Sequence, residues 1–173
     1  VKPRLIALLG AECTGKTALA EALAARTGGL WVPEYLRAFC DTRGRTPRRE
    51  EQALIMETQH THMMAALAQA QLKGHPYVFC DTTPLMTAIY SRYVFGDESL
   101  FPRARALHGL CERTLLCAPD LPWQADGIQR DGPEARAAVD RLLREALALN
   151  GIDPHPVAGR GTDRLVAALS GIA

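Results

Sequence analysis

Short unbroken apolar runs alternate along the chain with stretches in which apolar residues recur every three or four positions. Leu5-Ile6-Ala7-Leu8-Leu9, Leu30-Trp31-Val32, Tyr77-Val78-Phe79-Cys80, Thr114-Leu115-Leu116-Cys117-Ala118 and His155-Pro156-Val157-Ala158 read as strands. The first is continuous rather than alternating, which suits a strand buried on both faces. Between them, Ala18 to Arg26 is rich in Ala and Leu and stops at Gly28-Gly29, a helix with a glycine end. Thr46 followed by Pro47 looks like an N-cap and first helical position. It would open a long helix to about Lys73, with Ala53, Met56, His60, Met63, Met64 and Leu67 as an amphipathic stripe. His60 and His62 stand two apart and so face different ways on that helix.

Pro84 to Phe95 carries Leu85, Ile89 and Tyr93 at fours and breaks at Gly96-Asp97, and a shorter helix is expected from Leu100 to Cys111. Asp131 with Glu134 resembles a capping box for a helix from Pro133 to Leu149, whose apolar face is Ala138, Val139, Leu142, Leu143, Ala146 and Leu147. Thr162 is expected to cap a last helix through Leu169, and His155, beside prolines, reads as a turn residue. Five strands alternating with helices predict an α/β fold. Its core is a parallel sheet with helices on both faces, joined by right-handed crossovers, with the strands' carboxyl ends along one edge.

Composition narrows this picture only a little. At 173 residues one domain over 1–173 is expected, and 47% hydrophobic with 23% charged residues suits a globular core. A formal net charge of +1 gives no electrostatic case for nucleic acid as the main partner. No apolar run approaches the length of a membrane span and no signal segment precedes the first strand, so no membrane partner is expected. The five cysteines are odd in number and form no C-x-x-C pair, which suits reduced thiols in a cytoplasmic setting.

The chemistry enters at Gly10-Ala11-Glu12-Cys13-Thr14-Gly15-Lys16-Thr17. Every fixed position of the P-loop pattern G-x-x-x-x-G-K-[ST] is present, between a buried strand and a helix, as that motif requires. Glycines let the backbone curl so that successive N–H groups converge, and the helix N-terminus adds positive potential. Lys16 would reach the β- and γ-phosphates of a nucleoside triphosphate, and the Thr17 hydroxyl would ligate Mg²⁺. ATP and Mg²⁺ are therefore the expected cofactors, with Gly10 through Ala18 forming the ATP site together with Gly159 and Arg160 after the last strand.

Two further strand ends carry acids. The second strand leads into Pro33-Glu34-Tyr35-Leu36-Arg37, and the third ends in Asp81-Thr82-Thr83. Apolar residues followed by Asp have the shape of a Walker B element, whose acid holds Mg²⁺ directly or through water. After the fourth strand, residues 119–133 are too rich in Pro, Gly and charge for a buried element and read as a lid or substrate loop.

Taken together these stretches resemble the P-loop kinase domain of NadR-type ribosylnicotinamide kinases, within the nucleoside and nucleotide kinase superfamily. The resemblance rests on Gly10 to Thr17, Pro33 to Arg37, Phe79-Cys80-Asp81-Thr82, Pro119-Asp120-Leu121-Pro122-Trp123 with Asp126-Gly127 and Arg130, and Val157-Ala158-Gly159 with Arg164. These pieces run nearly end to end. The family usually has Ser where Cys13 stands. Its larger members carry an adenylyltransferase domain and sometimes a DNA-binding domain, and neither is expected in 173 residues.

The resemblance implies a three-layer P-loop NTPase fold around a five-stranded parallel sheet. It also implies ATP-dependent phosphorylation of a nucleoside 5′-hydroxyl, with nicotinamide riboside converted to nicotinamide mononucleotide in NAD salvage. A kinase of another nucleoside, or a P-loop ATPase without a metabolic acceptor, is the alternative. The expected catalytic residues are Lys16, Glu34, Asp81 and Arg130. Glu34 or Asp81 could accept the hydroxyl proton, and Glu34 is favoured because related kinases place a carboxylate base after the second strand. Asp81 would then serve Mg²⁺ or the ribose. Arg130, with Arg136 as a second candidate, would stabilise the transferring phosphoryl group. Glu34, Tyr35, Arg37, Asp81, Thr82, Trp123, Asp126 and Gly127 would contact the acceptor, with Trp123 or Tyr35 stacking on a flat base and Asp126 near a cationic ring.

Overall fold

A computed structural model describes residues 2–125 and 132–173. In chain order the elements are β1 (Arg4–Leu9), α1 (Lys16–Thr27), β2 (Leu30–Val32), α2 (Tyr35–Arg43), a 3₁₀ turn (Arg49–Glu51) that runs into α3 (Gln52–Lys73), and β3 (Tyr77–Asp81). There follow α4 (Pro84–Phe95), α5 (Phe101–His108), β4 (Arg113–Cys117), α6 (Pro133–Leu149), β5 (His155–Val157) and α7 (Gly161–Ser170). The five strands form one sheet in the order β2-β3-β1-β4-β5, with every pair parallel.

The continuous apolar run of β1 is explained by what lies on each side of it. Ile6 and Leu8 face α1 and α7, in a core shared with Leu19, Leu23, Phe79, Leu115, Val157 and Ala168. Their neighbours Ala7 and Leu9 face the opposite layer with Leu85, Ile89, Val139 and Leu143 of α4 and α6. Leu5 packs beside Val32, Val78 and Met63 under α3. Alternate side chains thus enter different cores, and both are apolar. Each fully buried leucine in them contributes roughly 2 kcal/mol of transfer free energy. Met56 and Met63 are core residues.

Several expected boundaries move, for identifiable reasons. The long helix does not start at Thr46-Pro47. Pro47 is buried in the preceding loop, and the Glu51 carboxylate fixes the start by accepting from the Arg48 N–H at 2.8 Å and the Arg45 guanidinium at 2.7 and 2.8 Å. The buried face of α3 is Gln52, Ile55, Met56, Gln59, Met63 and Ala70, whereas Ala53 is exposed. The helix expected to reach Cys111 ends at His108, where the imidazole is pinned between Thr83 Oγ1 (2.9 Å) and Thr114 Oγ1 (3.0 Å). Thr162 lies inside α7, whose N-cap is Arg160. His155 belongs to a strand rather than a turn, with Nε2 against the Ala167 carbonyl at 3.0 Å. Asp131, expected to cap α6, lies outside the described residues. Among the described residues no helix is long and apolar enough to cross a membrane.

Candidate active site

Strand order builds the site. β3 lies directly beside β1, with Leu8 opposite Asp81, so the acid at the end of β3 arrives next to the loop that leaves β1. That loop, residues 10–15, turns sharply. Gly10 has φ 156° and a Cβ there would sit 2.9 Å from the Cys117 carbonyl, so only glycine fits. Gly15 is left-handed at φ 74° and caps α1. Thr14 is fully buried and donates to the Ala11 carbonyl at 2.8 Å, which ties the loop across its own width.

Lys16 donates to the same Ala11 carbonyl at 3.0 Å. The Thr17 hydroxyl donates to Asp81 Oδ2 at 2.5 Å. A hydroxyl against a carboxylate at a helix N-terminus is a set of hard oxygen donors, the kind a divalent cation such as Mg²⁺ takes. Thr82, next in line, has φ 73°, and its buried hydroxyl has no hydrogen-bond partner. A β-branched residue in that conformation stores strain, and it lines the cavity described next.

A cleft of about 440 Å³ runs from the loop across the carboxyl edge of the sheet, within the range of small-molecule sites. One end holds Lys16, Thr17, Glu34, Arg37, Asp81 and Thr82, and the other holds apolar groups of Ile55, Met86, Tyr90, Val94 and Phe95. Glu34 is the residue before α2, and its carboxylate does not cap that helix. It lines the cleft and is half-buried. Burial pushes its pKa above 4.5, Lys16 draws it back, Asp81 adds to the rise and Arg37 opposes it. Gln59 of α3 holds the turn that carries Glu34, donating to the Pro33 carbonyl at 3.3 Å and accepting from the Tyr35 N–H at 2.7 Å.

Of the residues singled out in the sequence, Gly10, Glu12 to Ala18, Glu34, Arg37, Asp81 and Thr82 line one cleft. The structure puts others elsewhere. The Tyr35 ring packs edge-on against His62, with centroids 5.5 Å apart, and Trp123 donates to Glu12 at 3.3 Å. Neither lines the cleft. Gly159 and Arg160 stand at the start of α7, where the Gly159 N–H meets Asp120 at 2.7 Å. Arg136 is committed to the Leu121 carbonyl at 2.7 Å. Asp126, Gly127 and Arg130 lie outside the described residues.

Some contributors had no signal along the chain. Tyr90, Val94 and Phe95 sit on a helix whose apolar spacing reads as core, and only the packing of α2, α3 and α4 turns one side of it to the cleft. Arg164, part of the family resemblance but given no role by it, is 5% exposed and donates to Asp120 (2.7 Å), Gly159 O (2.9 Å), Thr14 O (2.6 Å) and Ala118 O (3.0 Å). It joins three loops, of which the phosphate-binding turn is one. Asp120 opposes its own partial burial with the bonds from Gly159 and Arg164, and its pKa falls below the usual carboxylate value.

Known proteins share this fold. A family model described as an AAA domain matches residues 5–164. Among solved structures, the NadR protein in complex with NR superposes with a TM-score of 0.81 at 18% identity, covering 99% of this chain and 50% of that one. NadR in complex with NAD and AMP-PNP gives 0.76 at 17% identity, over 98% of this chain and 50% of the other. Deoxyadenosine kinase from M. mycoides gives 0.65 at 12% identity, over 97% and 98% of the two chains. The chain spans about half the length of the NadR chains it matches. No curated protein matches the sequence.

Proposed function

The chain belongs to the AAA domain family, and from that premise we propose that it is an ATP-dependent kinase of a nucleoside 5′-hydroxyl, with nicotinamide riboside as the acceptor. The observation that carries the reading is the placement of Glu34. A carboxyl whose pKa is raised by burial faces Lys16 and Asp81 among the polar residues that line the cleft. A phosphate-binding loop needs no such group merely to hold a nucleotide, whereas an acceptor hydroxyl must lose a proton as it attacks.

In the proposed reaction the acceptor oxygen attacks the γ-phosphorus of ATP, the bond to the β-phosphate oxygen breaks, and ADP leaves. Glu34 takes the hydroxyl proton. Lys16 and the N–H groups of residues 10–16 stabilise charge on the phosphates, and stabilisation that grows in the transition state raises kcat. Thr17 and Asp81 are the residues that would hold Mg²⁺, which would supply charge neutralisation on the phosphates when bound. The apolar end of the cleft excludes water from the acceptor. Tyr90 and Phe95 there suit a flat cationic ring such as a pyridinium.

Further support comes from the fold shared with NadR bound to NR and with a deoxyadenosine kinase. All five cysteines are free thiols, which fits the proposed cytoplasmic setting of NAD salvage. The deciding experiment is a kinase assay with identified products, run over nicotinamide riboside and several deoxynucleosides. A preference for nicotinamide riboside is expected. A preference for a deoxynucleoside overturns the acceptor, and ATP hydrolysis unaffected by any nucleoside overturns the kinase.

A further inference from the structure

Helix α2 begins in an unusual way. Its first four N–H groups need partners, and the residue before a helix ordinarily supplies one from its own side chain. Glu34 occupies that position, yet makes no capping bond. The partner of the first N–H, that of Tyr35, comes instead from another element: Gln59 Oε1 of α3, at 2.7 Å. The same amide donates through Nε2 to the Pro33 carbonyl at 3.3 Å. Pro33 offers only an acceptor there and the Tyr35 N–H only a donor, so the orientation of the amide is determined by its neighbours. Gln59 is 2% exposed.

We propose that Gln59 is a positioning residue: it caps α2 from outside and clamps the backbone on both sides of Glu34, leaving the Glu34 carboxylate free to face the cleft as the base. The identification of Glu34 as a base rests on the function proposed above, but the clamp itself does not. The bond goes to the first N–H, whereas an N-cap side chain serves the second or third, so Gln59 fixes the entry of α2 without any demand on the Glu34 carboxylate. It also couples the placement of the base to the helix that lines the acceptor end of the cleft through Gln52 and Ile55.

The test uses Gln59→Met, which keeps size and removes both bonds, and Gln59→Glu, which in its protonated form can accept from Tyr35 and donate to Pro33 as the amide does. Hydrogen exchange at the Tyr35 amide reports the clamp without reference to activity. Exchange about tenfold faster in Gln59→Met, with Gln59→Glu near wild type, is expected for a buried bond whose acceptor is lost. Turnover should split in the same way. In Gln59→Met, kcat should fall about tenfold with the KM of ATP and acceptor within about twofold, because misplacing a base costs chemistry rather than binding. Unchanged Tyr35 exchange in a folded Gln59→Met protein would overturn the clamp. A large rise in acceptor KM with kcat preserved would also overturn it, by showing that Gln59 grips the substrate instead. A wild-type protein that phosphorylates no nucleoside would defeat the functional reading, and the exchange measurement would still decide the clamp.

Discussion

At the scale of single residues, the structure separates side chains that hold the fold from those held in place by it. Lys16 donates to a loop carbonyl and packs nothing into a core. Lys16→Ala should fold normally, with an unchanged circular dichroism melt, and lose at least about 100-fold in kcat, the typical cost of deleting a charge that stabilises the transition state. Glu34 carries a stability cost of its own. Its folded pKa lies above 4.5, so as pH rises past that value the folded chain retains a proton that the unfolded chain has released. Stability contributed by that proton is present at low pH and lost as pH rises through the folded pKa. Glu34→Gln should therefore melt higher than wild type near neutral pH and converge with it in acid, while kcat falls and the KM for ATP stays put. A variant that melts lower at neutral pH would contradict the burial of this carboxyl. Both residues were legible in the sequence, because a phosphate-binding motif and an acid at a strand end leave local marks. Gln59 was not, since an amide on an amphipathic helix looks alike whether it faces solvent or a neighbouring turn.

At the scale of elements, the same residue type has different consequences in different places. Gly10 and Gly74 both have positive φ, but a Cβ at Gly10 would meet Cys117 O at 2.9 Å and Thr14 Oγ1 at 2.7 Å, whereas at Gly74, past the end of α3, it would meet nothing. Gly74→Ala should cost about 1 kcal/mol, the price of a left-handed alanine. Gly10→Ala should cost more, roughly 2 to 4 kcal/mol, since backbone must shift as well, and nucleotide binding should be lost with it. Denaturant melts of the two variants would make the comparison. The strands were readable to within a residue or so because burial on both faces leaves an unbroken apolar run. Helix ends were harder. The start of α3 depends on Arg45 reaching Glu51, and the end of α5 depends on His108 meeting Thr83 and Thr114. The first is local but made by an arginine that the usual N-cap residue types do not single out, and the second needs Thr83 from 25 positions away.

At the scale of the whole molecule, two buried groups join distant parts. Arg164 links the end of β4, the phosphate-binding turn and the start of α7. Asp120 is exposed, so the larger loss in Arg164→Met is the donor to the buried Thr14 carbonyl and to the Ala118 and Gly159 carbonyls, about 1 to 3 kcal/mol for a buried acceptor left unpaired. A fall in melting temperature accompanied by a raised KM for ATP is expected. His108 ties β4 to the turn after β3, and burial lowers its pKa from 6.5 to about 4. Because the unfolded chain takes up this proton first, stability is full above pH 6.5 and is lost as pH falls toward 4. His108→Gln should flatten that part of the acid melt. Alternation and crossover handedness predicted a parallel sheet between helices, but neither its strand order nor the composition of the cleft could be read, since the cleft exists only where α2, α3 and α4 meet. The margins of the sheet have one more consequence. The outermost strands, β2 and β5, are three residues each. In β5 the Val157 carbonyl turns inward to the Ala118 N–H, so Pro156 points its backbone outward, where it has no N–H to offer. A second sheet would find no continuous row of donors along that margin, and the protein should stay monodisperse when concentrated. Pro156→Val would restore the row and should make light scattering rise with concentration.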